Sequence, residues 1–420
     1  MRSMTVVGLQ WGDEGKGKII DALAGAFDYV VRWNGGNNAG HTVVVDGNKY
    51  PLSLVPSGVI QNKKLCIAQG AVINPQVLLS EIEFLKGHGF TADLAIDPRV
   101  HIVMPYHKLF DAANEKWKGK DATGSLHLGI GYCYEDRNNR VGIRLEDLIR
   151  PDLLEEKVAK ILPLKKDIIE KVYGVSTSIT VREIVREYVQ YGKKLKKYVL
   201  DVSSLVERNI KKKRFLFEQA HGTMLDPVFG TYPYTVAPPT IASAVFSMVG
   251  ISVQQLDVLG VVKSYTTRVG NGPFPTELHD EIGEKIRSLG GEFGTVSKRP
   301  RRCGWLDLPQ LRYAVRLNGC TSLAITKLDV LSTLPKLKIC THYLYNGKRL
   351  DEFVSEIAML PDCKPVYKSF NGWKSDLNGL GKSRLFPKAA KTYVRFIEKE
   401  LGVPVRHVSV GAERKALISI

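Results

Sequence analysis

The stretch from Gly8 to Ile20 constrains this 420-residue chain more than any other. The β-branched and apolar residues 5–7 before it predict a buried strand, and residues 19–24 predict the opening turns of a helix. Between them lie three close glycines and two lysines. A strand that leads through a glycine-rich turn into a helix presents unpaired N–H groups and the positive end of the helix dipole to an anion. We therefore predict a phosphate-binding loop.

One position of this loop departs from the usual nucleotide-binding pattern. Gly12, Gly17 and Lys18 supply the spacing G-x-x-x-x-G-K, but Ile19 stands where a Ser or Thr hydroxyl normally binds Mg²⁺. Another oxygen must then hold the metal, and Asp13 is the nearest; its carboxylate would also lie beside a γ-phosphate, where it can act as a base. The alternative is a glycine-rich turn without a ligand, although these residue types at this spacing are costly for a purely structural turn.

Composition bounds the class of protein. The hydrophobic fraction of 44% and the charged fraction of 25% are ordinary for a globular chain. The net charge of +17 suits small polyanionic substrates, with nucleic-acid or membrane contact as a less favoured alternative. Six scattered cysteines without a C-x-x-C pair favour a reducing compartment, and no apolar stretch is long enough for a membrane span. The phosphate loop begins too early to leave room for a signal peptide, so we expect a cytoplasmic protein.

Alternating strand and helix patterns indicate an α/β fold. Strands are predicted at 5–7, 29–33, 42–45, 65–68, 100–104, 215–217, 258–262, 323–326 and, as the last one, 405–410; helices are predicted at 19–24, 75–86, 107–117, 280–289 and 386–401. Residues 119–143 and most of 264–305 are expected to be loops. We predict a P-loop-like, mostly parallel central sheet with flanking helices and long functional loops, in a single domain (1–420) with a peripheral helical segment at about 145–212.

Three further motifs carry candidate chemistry. His41 follows Gly40 in an Asn/Gly-rich loop, where its imidazole can donate to a phosphoryl oxygen and the Gly40 carbonyl can reach a metal. The segment Thr326 to Asp329 ends a strand, and a carboxylate there can accept from both guanine N1–H and the 2-amino group. Residues 409–411 would form a wall of the same base pocket. The alternatives without a functional role are a purely structural histidine at position 41 and a solvent-exposed Lys-x-Asp at 327–329.

A cluster of cations at 298–302 suits an anionic second substrate or the triphosphate. Four of these five residues are Lys or Arg, and arginine forks bind carboxylates and phosphates through two hydrogen bonds. The alternative is a solvated basic loop.

These segments together resemble one enzyme family. The motifs WGDEGKGK (11–18), NAGHTVVVDG (38–47), LVPSG (54–58), MPYH (104–107), YED (134–136), GTYP (230–233), TTRVGNGPFPTEL (266–278), RPRRCGW (299–305) and TKLDVL (326–331) resemble adenylosuccinate synthetase in that family's order and along essentially the whole chain. The resemblance implies the Mg²⁺-dependent use of GTP to join IMP and L-aspartate in AMP synthesis. It also implies a homodimer in which Arg140 reaches the site of the other subunit.

The resemblance assigns roles to named residues. Asp13 would deprotonate N1 of the purine, His41 would assist as an acid and Lys16 would stabilise the γ-phosphoryl charge, so that the 6-oxygen attacks the γ-phosphate and aspartate's amine then displaces that phosphate. The assigned GTP residues are Gly12, Asp13, Glu14, Gly15, Lys16, Gly17, Lys18, Gly40, His41, Thr42, Arg301, Lys327, Leu328, Asp329, Ser409, Val410 and Gly411. The assigned IMP residues are Asp13, Lys16, Asn38, Gly40, His41, Thr123, Arg140, His221, Thr235, Val236 and Arg299. The assigned aspartate residues are Thr295, Val296, Ser297, Lys298, Arg299 and Arg301, and the metal ligands are Asp13 and Gly40.

The chain departs from the family pattern around the second and third substrates. The phosphate loop T-T-G-R-G-I-G-P has a different sequence in 122–132, the glutamine of G-A-Q-G-T is His221, and Val236 stands at a phosphate-binding threonine, which Thr235 would replace. The segment before the arginines also differs, at 296–298. Two alternatives therefore stay open: a related ligase that uses another 6-oxopurine nucleotide, such as dGMP, or another amino acid, and a non-catalytic nucleotide-binding protein.

Overall fold

The computed structural model describes residues 2–294, 299–354, 356–378, 380 and 385–420. The strands of this part of the chain are β1 (Met4–Gly8), β2 (Tyr29–Arg32), β3 (His41–Val45), β4 (Asn48–Leu52), β5 (Lys64–Ile67), β6 (Val72–Ile73), β7 (Leu94–Ile96), β8 (His101–Ile102), β9 (Phe215–Glu218), β10 (Asp257–Lys263), β11 (Thr266–Arg268), β12 (Arg302–Gly304), β13 (Leu306–Asp307), β14 (Ser322–Thr326), β15 (Lys336–Tyr345), β16 (Lys348–Leu350), β17 (Lys364–Asn371), β18 (Val405–Ser409) and β19 (Leu417–Ser419).

The α-helices of the described residues cover the strands or lie at the periphery. They are α1 (Lys16–Ala24), α2 (Pro75–Gly87), α3 (Pro105–Lys118), α4 (Ile130–Asn138), α5 (Leu145–Leu148), α6 (Pro151–Asp167), α7 (Val181–Leu195), α8 (Val202–Asn209), α9 (Ala244–Val249), α10 (Glu281–Gly290), α11 (Leu308–Asn318) and α12 (Lys388–Leu401). Among the helices described, none combines the length and the apolar character that a membrane crossing requires.

A nine-stranded sheet forms the centre of the molecule. Its order is β19-β18-β14-β10-β1-β9-β2-β5-β7, and every neighbouring pair is parallel except β18 and β19. Neighbouring residues of a strand point to opposite faces, so Val6 belongs to one apolar layer and Val7 to another. Both faces are covered, which explains why the central strands are almost wholly apolar. The predicted mostly parallel α/β sheet is confirmed.

The topology gathers the predicted motifs at one edge. The phosphate loop follows β1, the loop of residues 34–40 follows β2, and the segments 327–329 and 410–411 follow β14 and β18. In a parallel sheet these carboxyl ends lie side by side. The helical segment is present as α5 to α8. Its place within a single domain stays a prediction.

Two expectations about secondary structure are wrong: residues 119–143 contain α4, and 405–410 is followed by one more strand, β19. The described residues of 264–305 are mostly irregular around the expected helix, although the short strands β11 and β12 also lie there. Strand β7 and the antiparallel strands β15 to β17 were not anticipated. Helix α4 has no side-chain cap and starts after Gly129 at φ +73°, but Ile130 and Tyr134 pack against Val72 and Val103. These tertiary contacts stabilise a helix that local sequence signals do not mark.

Candidate active site

A cleft of about 560 Å³ opens at the carboxyl edge of the sheet. Of the predicted site residues it is lined by Gly12, Asp13, Gly15, Lys16, Gly17, Lys18, Asn38, Gly40, His41, Thr42, Thr123, His221, Thr235, Val236 and Arg301. These residues come from the phosphate loop and from five other segments far apart in the chain. The structure therefore brings together most of the side chains that the sequence assigned to nucleotide chemistry.

The phosphate loop is held open by a buried carboxylate beneath it. Gly12, Asp13 and Gly15 have positive φ angles of 85°, 60° and 87°. The fully buried Glu14 carboxylate accepts from the Gly12 N–H at 2.9 Å and from Lys16 Nζ at 2.6 Å. Thr326 Oγ1 donates to the Glu14 carbonyl at 2.6 Å and so ties the end of β14 to the loop. The Glu14 carboxylate is engaged in these hydrogen bonds within the loop. Any contact of Glu14 with a nucleotide would therefore come from its main chain.

Asp13 is the most accessible carboxylate of the loop. Its side chain is 29% exposed, and Oδ2 lies 2.7 Å from Arg301 Nε. The described residues contain no cluster of three or more His, Cys, Asp or Glu side chains that could hold a metal by themselves. Mg²⁺ is commonly held by one or two carboxylates together with substrate phosphates, and the cleft, which Asp13 and Gly40 both line, fits that kind of site.

His41 is oriented by a carboxylate that the sequence analysis missed. His41 Nδ1 lies 2.7 Å from Glu218 Oε1, which leaves Nε2 for the cleft. Glu218 is fully buried at the end of β9 and also accepts from the Ser57 N–H at 2.8 Å and the Ser57 hydroxyl at 2.9 Å. Burial acts to raise the pKa of Glu218, but His41, Arg32 and the Ser57 N–H together hold it below its usual range. This ionised carboxylate presents a negative charge to Nδ1 and fixes the orientation of the His41 ring.

His221 contributes a neutral ring to the cleft. It follows β9 with φ +69°, and its Nε2 is buried without a hydrogen-bond partner among the described residues. Burial lowers the pKa of His221 to about 3, and the nearby cations Arg32 and Lys16 act in the same direction. A buried polar atom without a partner is costly, so a ligand that hydrogen-bonds Nε2 would relieve that cost.

The predicted base pocket lies where β14, β18 and the phosphate loop meet. Lys18 Nζ donates to Ser409 Oγ and to the Gly411 carbonyl, both at 2.6 Å. Asp329 Oδ1 is buried and lacks a hydrogen-bond partner in the described part of the chain, and burial raises the pKa of Asp329. Lys327 Nζ donates to the Gly290 carbonyl at 2.5 Å. The pocket therefore offers an unmatched carboxylate oxygen of the kind that guanine's N–H groups require.

The predicted IMP and aspartate residues differ in where they lie. Asn38 Oδ1 is buried in the cleft without a partner among the described residues, whereas Thr123 Oγ1 donates to Glu115 at 2.7 Å. Arg140 is exposed at the end of α4 and does not line the cleft of its own chain. Gly124 lines the cleft, and Arg299 lies close to it: Arg299 Nη1 is 3.9 Å from the point where a Cβ atom on Gly124 would stand. Thr295, Val296, Ser297 and Lys298 lie outside the described residues.

Three carboxylates that accept hydrogen bonds from predicted site residues were not predicted from the sequence. They are Glu218, Glu292, which accepts from Arg301, and Glu115, which accepts from the N–H groups of residues 123–125. The partners of Glu218, Ser57 and His41, are 161 and 177 residues away in the sequence, so no local sequence motif indicates these contacts. The one available signal was a charged residue at the end of an otherwise apolar strand, in Phe215–Glu218.

Comparisons with known proteins agree with this geometry. A family model described as adenylosuccinate synthetase matches residues 5–418. The adenylosuccinate synthetases of Acetivibrio thermocellus and Thermodesulfovibrio yellowstonii are each 46% identical to this chain, covering all of it and 100% and 99% of their own lengths. The structure of fully ligated adenylosuccinate synthetase from Plasmodium falciparum matches with a TM-score of 0.94, 38% identity and full coverage of both chains.

A more distant structure shares the fold alone. The succinoaminodeoxyadenylate synthetase of cyanophage S-2L, bound to dGMP and dATP, matches with a TM-score of 0.64 and 18% identity, covering all of this chain and 95% of its own. The comparisons therefore give no support to a different acceptor nucleotide.

Proposed function

The chain belongs to the adenylosuccinate synthetase family, which performs the GTP-dependent ligation of L-aspartate to IMP in purine biosynthesis, and from this premise we propose which of its residues carry that reaction. The observation that carries the proposal is one cleft lined by Asp13 of the phosphate loop and by His41 with its Glu218 partner. An amide-like 6-oxygen is a poor leaving group, so phosphorylation must precede attack by the amine.

We propose that Asp13 and His41 share the proton transfers of the first step. Asp13 removes the proton from N1 of IMP, and the electron pair moves to the 6-oxygen, which attacks the γ-phosphorus of GTP while the bond to the β,γ-bridging oxygen breaks. His41, protonated and stabilised by Glu218, donates from Nε2 to the phosphate oxygens that gain charge. The amine of L-aspartate then attacks C6, and inorganic phosphate leaves with the former 6-oxygen.

The remaining phosphate-loop residues bind and polarise the triphosphate. The buried Lys16 and Lys18 stabilise the charge that develops on the γ-phosphoryl group, and the turn with positive φ angles at Gly12 and Gly15 would offer it main-chain N–H groups other than that of Gly12, which donates to Glu14. Gly17 and Thr42 complete the wall of this subsite. Members of the family use Mg²⁺. Here Asp13 and the Gly40 carbonyl would hold the ion, which would neutralise phosphate charge when bound.

We propose that guanine is read by the carboxylate of Asp329, which would accept from N1–H and the 2-amino group and whose buried Oδ1 lacks a partner among the described residues. Lys327 and Leu328 would contact the base, and Ser409, Val410 and Gly411 would form the small-residue wall beside Lys18.

We assign the IMP and aspartate subsites to a third group of residues. Asn38, Thr123, Thr235 and His221 would contact IMP beside Val236, and Arg299 and Arg301 would bind L-aspartate together with the loop 295–298. Arg140 would complete the IMP phosphate site from the partner subunit of a homodimer, which its exposure at the end of α4 supports. A cytoplasmic location is in keeping with the free state of the six cysteines.

A rate assay with one component omitted at a time tests this proposal. We expect release of GDP and phosphate only when GTP, IMP, L-aspartate and Mg²⁺ are all present, and none from Asp13→Ala. ATP in place of GTP should support little turnover if Asp329 reads the base. Robust turnover with dGMP but none with IMP would overturn the assignment, and so would substantial activity of the Asp13 variant.

A further inference from the structure

The carboxylate of Glu292 lies between Arg301, which is assigned to L-aspartate, and Lys327, which is assigned to the base pocket, and the proposed mechanism gives Glu292 no role. It is fully buried in the turn after α10. Its Oε2 accepts from Lys263 Nζ at 2.9 Å and from Arg301 Nη1 at 2.7 Å, while Oε1 accepts from the Tyr265 hydroxyl at 2.5 Å. Lys327 Nζ lies 3.9 Å from the same Oε1.

This carboxylate is ionised in spite of its burial. Desolvation acts to raise the pKa of Glu292, but the charges of Lys263, Lys327 and Arg301 outweigh it and hold the pKa at about 2. A buried ion is costly unless its charge is matched and its lone pairs are satisfied. Tyr265 and the two nearest cations meet that requirement, so the negative charge is a fixed feature of the site.

Arg301 connects this buried charge to the phosphate loop. One guanidinium nitrogen, Nη1, is held by Glu292, and another, Nε, pairs with Asp13 Oδ2 at 2.7 Å. The main chain is fixed as well: Arg301 N donates to the Glu292 carbonyl at 2.9 Å, and Arg287 Nε donates to the Arg301 carbonyl at 2.9 Å. Only 7% of Arg301 is exposed, although it lines the cleft.

We propose that Glu292 is a positioning residue for L-aspartate. By accepting a hydrogen bond from Nη1 of Arg301, Glu292 fixes the guanidinium of Arg301 beside Asp13, and the arginine is thereby preorganised for a carboxylate of the substrate. The inference rests on the proposed role of Arg301. A guanidinium whose direction is set before the substrate arrives loses less conformational entropy on binding. Because Lys327 faces the same carboxylate, Arg301 and Lys327 share one buried counter-ion.

Glu292→Gln is the direct test, but it leaves Lys263 buried beside a neutral amide and so destabilises the fold. The double variant Lys263→Met, Glu292→Gln removes both charges and is expected to recover most of the lost melting temperature. Glu277→Gln is the matched control: Glu277 pairs with Arg302, the neighbour of Arg301, at 2.7 Å between Oε1 and Nε, yet neither residue contacts Asp13 in the described structure.

Steady-state rates and melting temperatures should separate positioning from folding. We expect both Glu292 variants to raise KM for L-aspartate by about tenfold or more, with KM for IMP within about twofold, even where the double variant melts like the wild type. Glu277→Gln should leave KM for L-aspartate within about twofold. A double variant with restored stability and an unchanged KM for L-aspartate would show that Glu292 only supports the fold.

Arg301→Leu distinguishes failure of this inference from failure of the proposed function. If that variant leaves KM for L-aspartate unchanged, the role of Arg301 itself is wrong. If it raises KM for L-aspartate while the double variant does not, Arg301 binds the substrate without help from Glu292, and the inference alone is overturned.

Discussion

At the scale of single residues, the chemistry depends on how His41 is held. Glu218→Gln replaces the carboxylate by an amide of the same shape and removes the charge that stabilises a protonated His41. We expect kcat to fall about 10²-fold, the range of one general acid, with smaller changes in KM. Initial rates of GDP release measure this, alongside the melting temperature.

Ser57→Ala provides the comparison for that variant. The Ser57 hydroxyl also donates to Glu218, at 2.9 Å, but its loss leaves the contact between His41 and Glu218 in place. It should reduce kcat only a few-fold. Equal losses in the two variants would contradict the idea that the negative charge on Glu218 is what matters.

Lys18 predicts a pH dependence of GTP binding. Burial lowers the pKa of Lys18 to about 8, although Asp329 and Glu413 partly oppose the shift. The ammonium form attracts phosphate, so binding favours protonated Lys18. Affinity for GTP should be constant below about pH 8 and weaken above it, by up to about tenfold per pH unit. Titration of GTP binding between pH 6.5 and 9.5 measures the slope.

Lys18→Met is the reference for this titration, because guanine itself loses a proton at high pH in both proteins. The variant should bind GTP more weakly throughout and show a smaller slope. An identical slope in both proteins would remove Lys18 as the titrating group.

At the scale of elements, close packing of α1 against β3 places His41. A Cβ added to Gly17 would lie 2.7 Å from His41 Cβ, so either the helix or the strand has to move. We expect Gly17→Ala to cost about 1–3 kcal/mol in the free energy of unfolding and to lower kcat by more than tenfold. Denaturant melts and initial rates give the two quantities.

Gly87→Ala is the matched substitution, because Gly87 ends α2 with no atom within 4 Å of an added Cβ. There alanine should be neutral or slightly stabilising, since it favours helix over the unfolded chain. A Gly17 variant with wild-type rates would mean that His41 tolerates displacement.

Some secondary-structure elements and contacts are predictable from the sequence and others are not. The strand, glycine-rich turn and helix around the phosphate loop and seven of the nine strands of the central sheet follow local rules of periodicity and turn chemistry, and the structure confirms these elements. Strand β15 also carries an alternating signal, with Leu337 and Ile339 buried between exposed lysines, which the sequence analysis overlooked. Helix α4 and the carboxylates Glu218 and Glu292 depend on contacts with residues outside their own segments, so local patterns do not indicate which side chains they contact.

At the scale of the whole molecule, the role proposed for Arg140 requires an active unit larger than one chain. This arginine is exposed at φ +65° and does not line the cleft of its own chain. If it completes the IMP site of a partner subunit, Asp13→Ala and Arg140→Leu would each be inactive alone, because every site in either homodimer lacks one required group.

Mixing the two inactive variants should restore activity. In a mixed dimer, the site built on the Arg140→Leu subunit keeps its own Asp13 and receives Arg140 from the Asp13→Ala subunit, whereas the other site lacks both groups. Random exchange makes half of the dimers mixed with one working site each, so the mixture should regain about one quarter of wild-type activity. Activity that rises with the time of subunit exchange supports the shared site. If the mixture stays inactive although native mass spectrometry detects mixed dimers, Arg140 acts within its own chain.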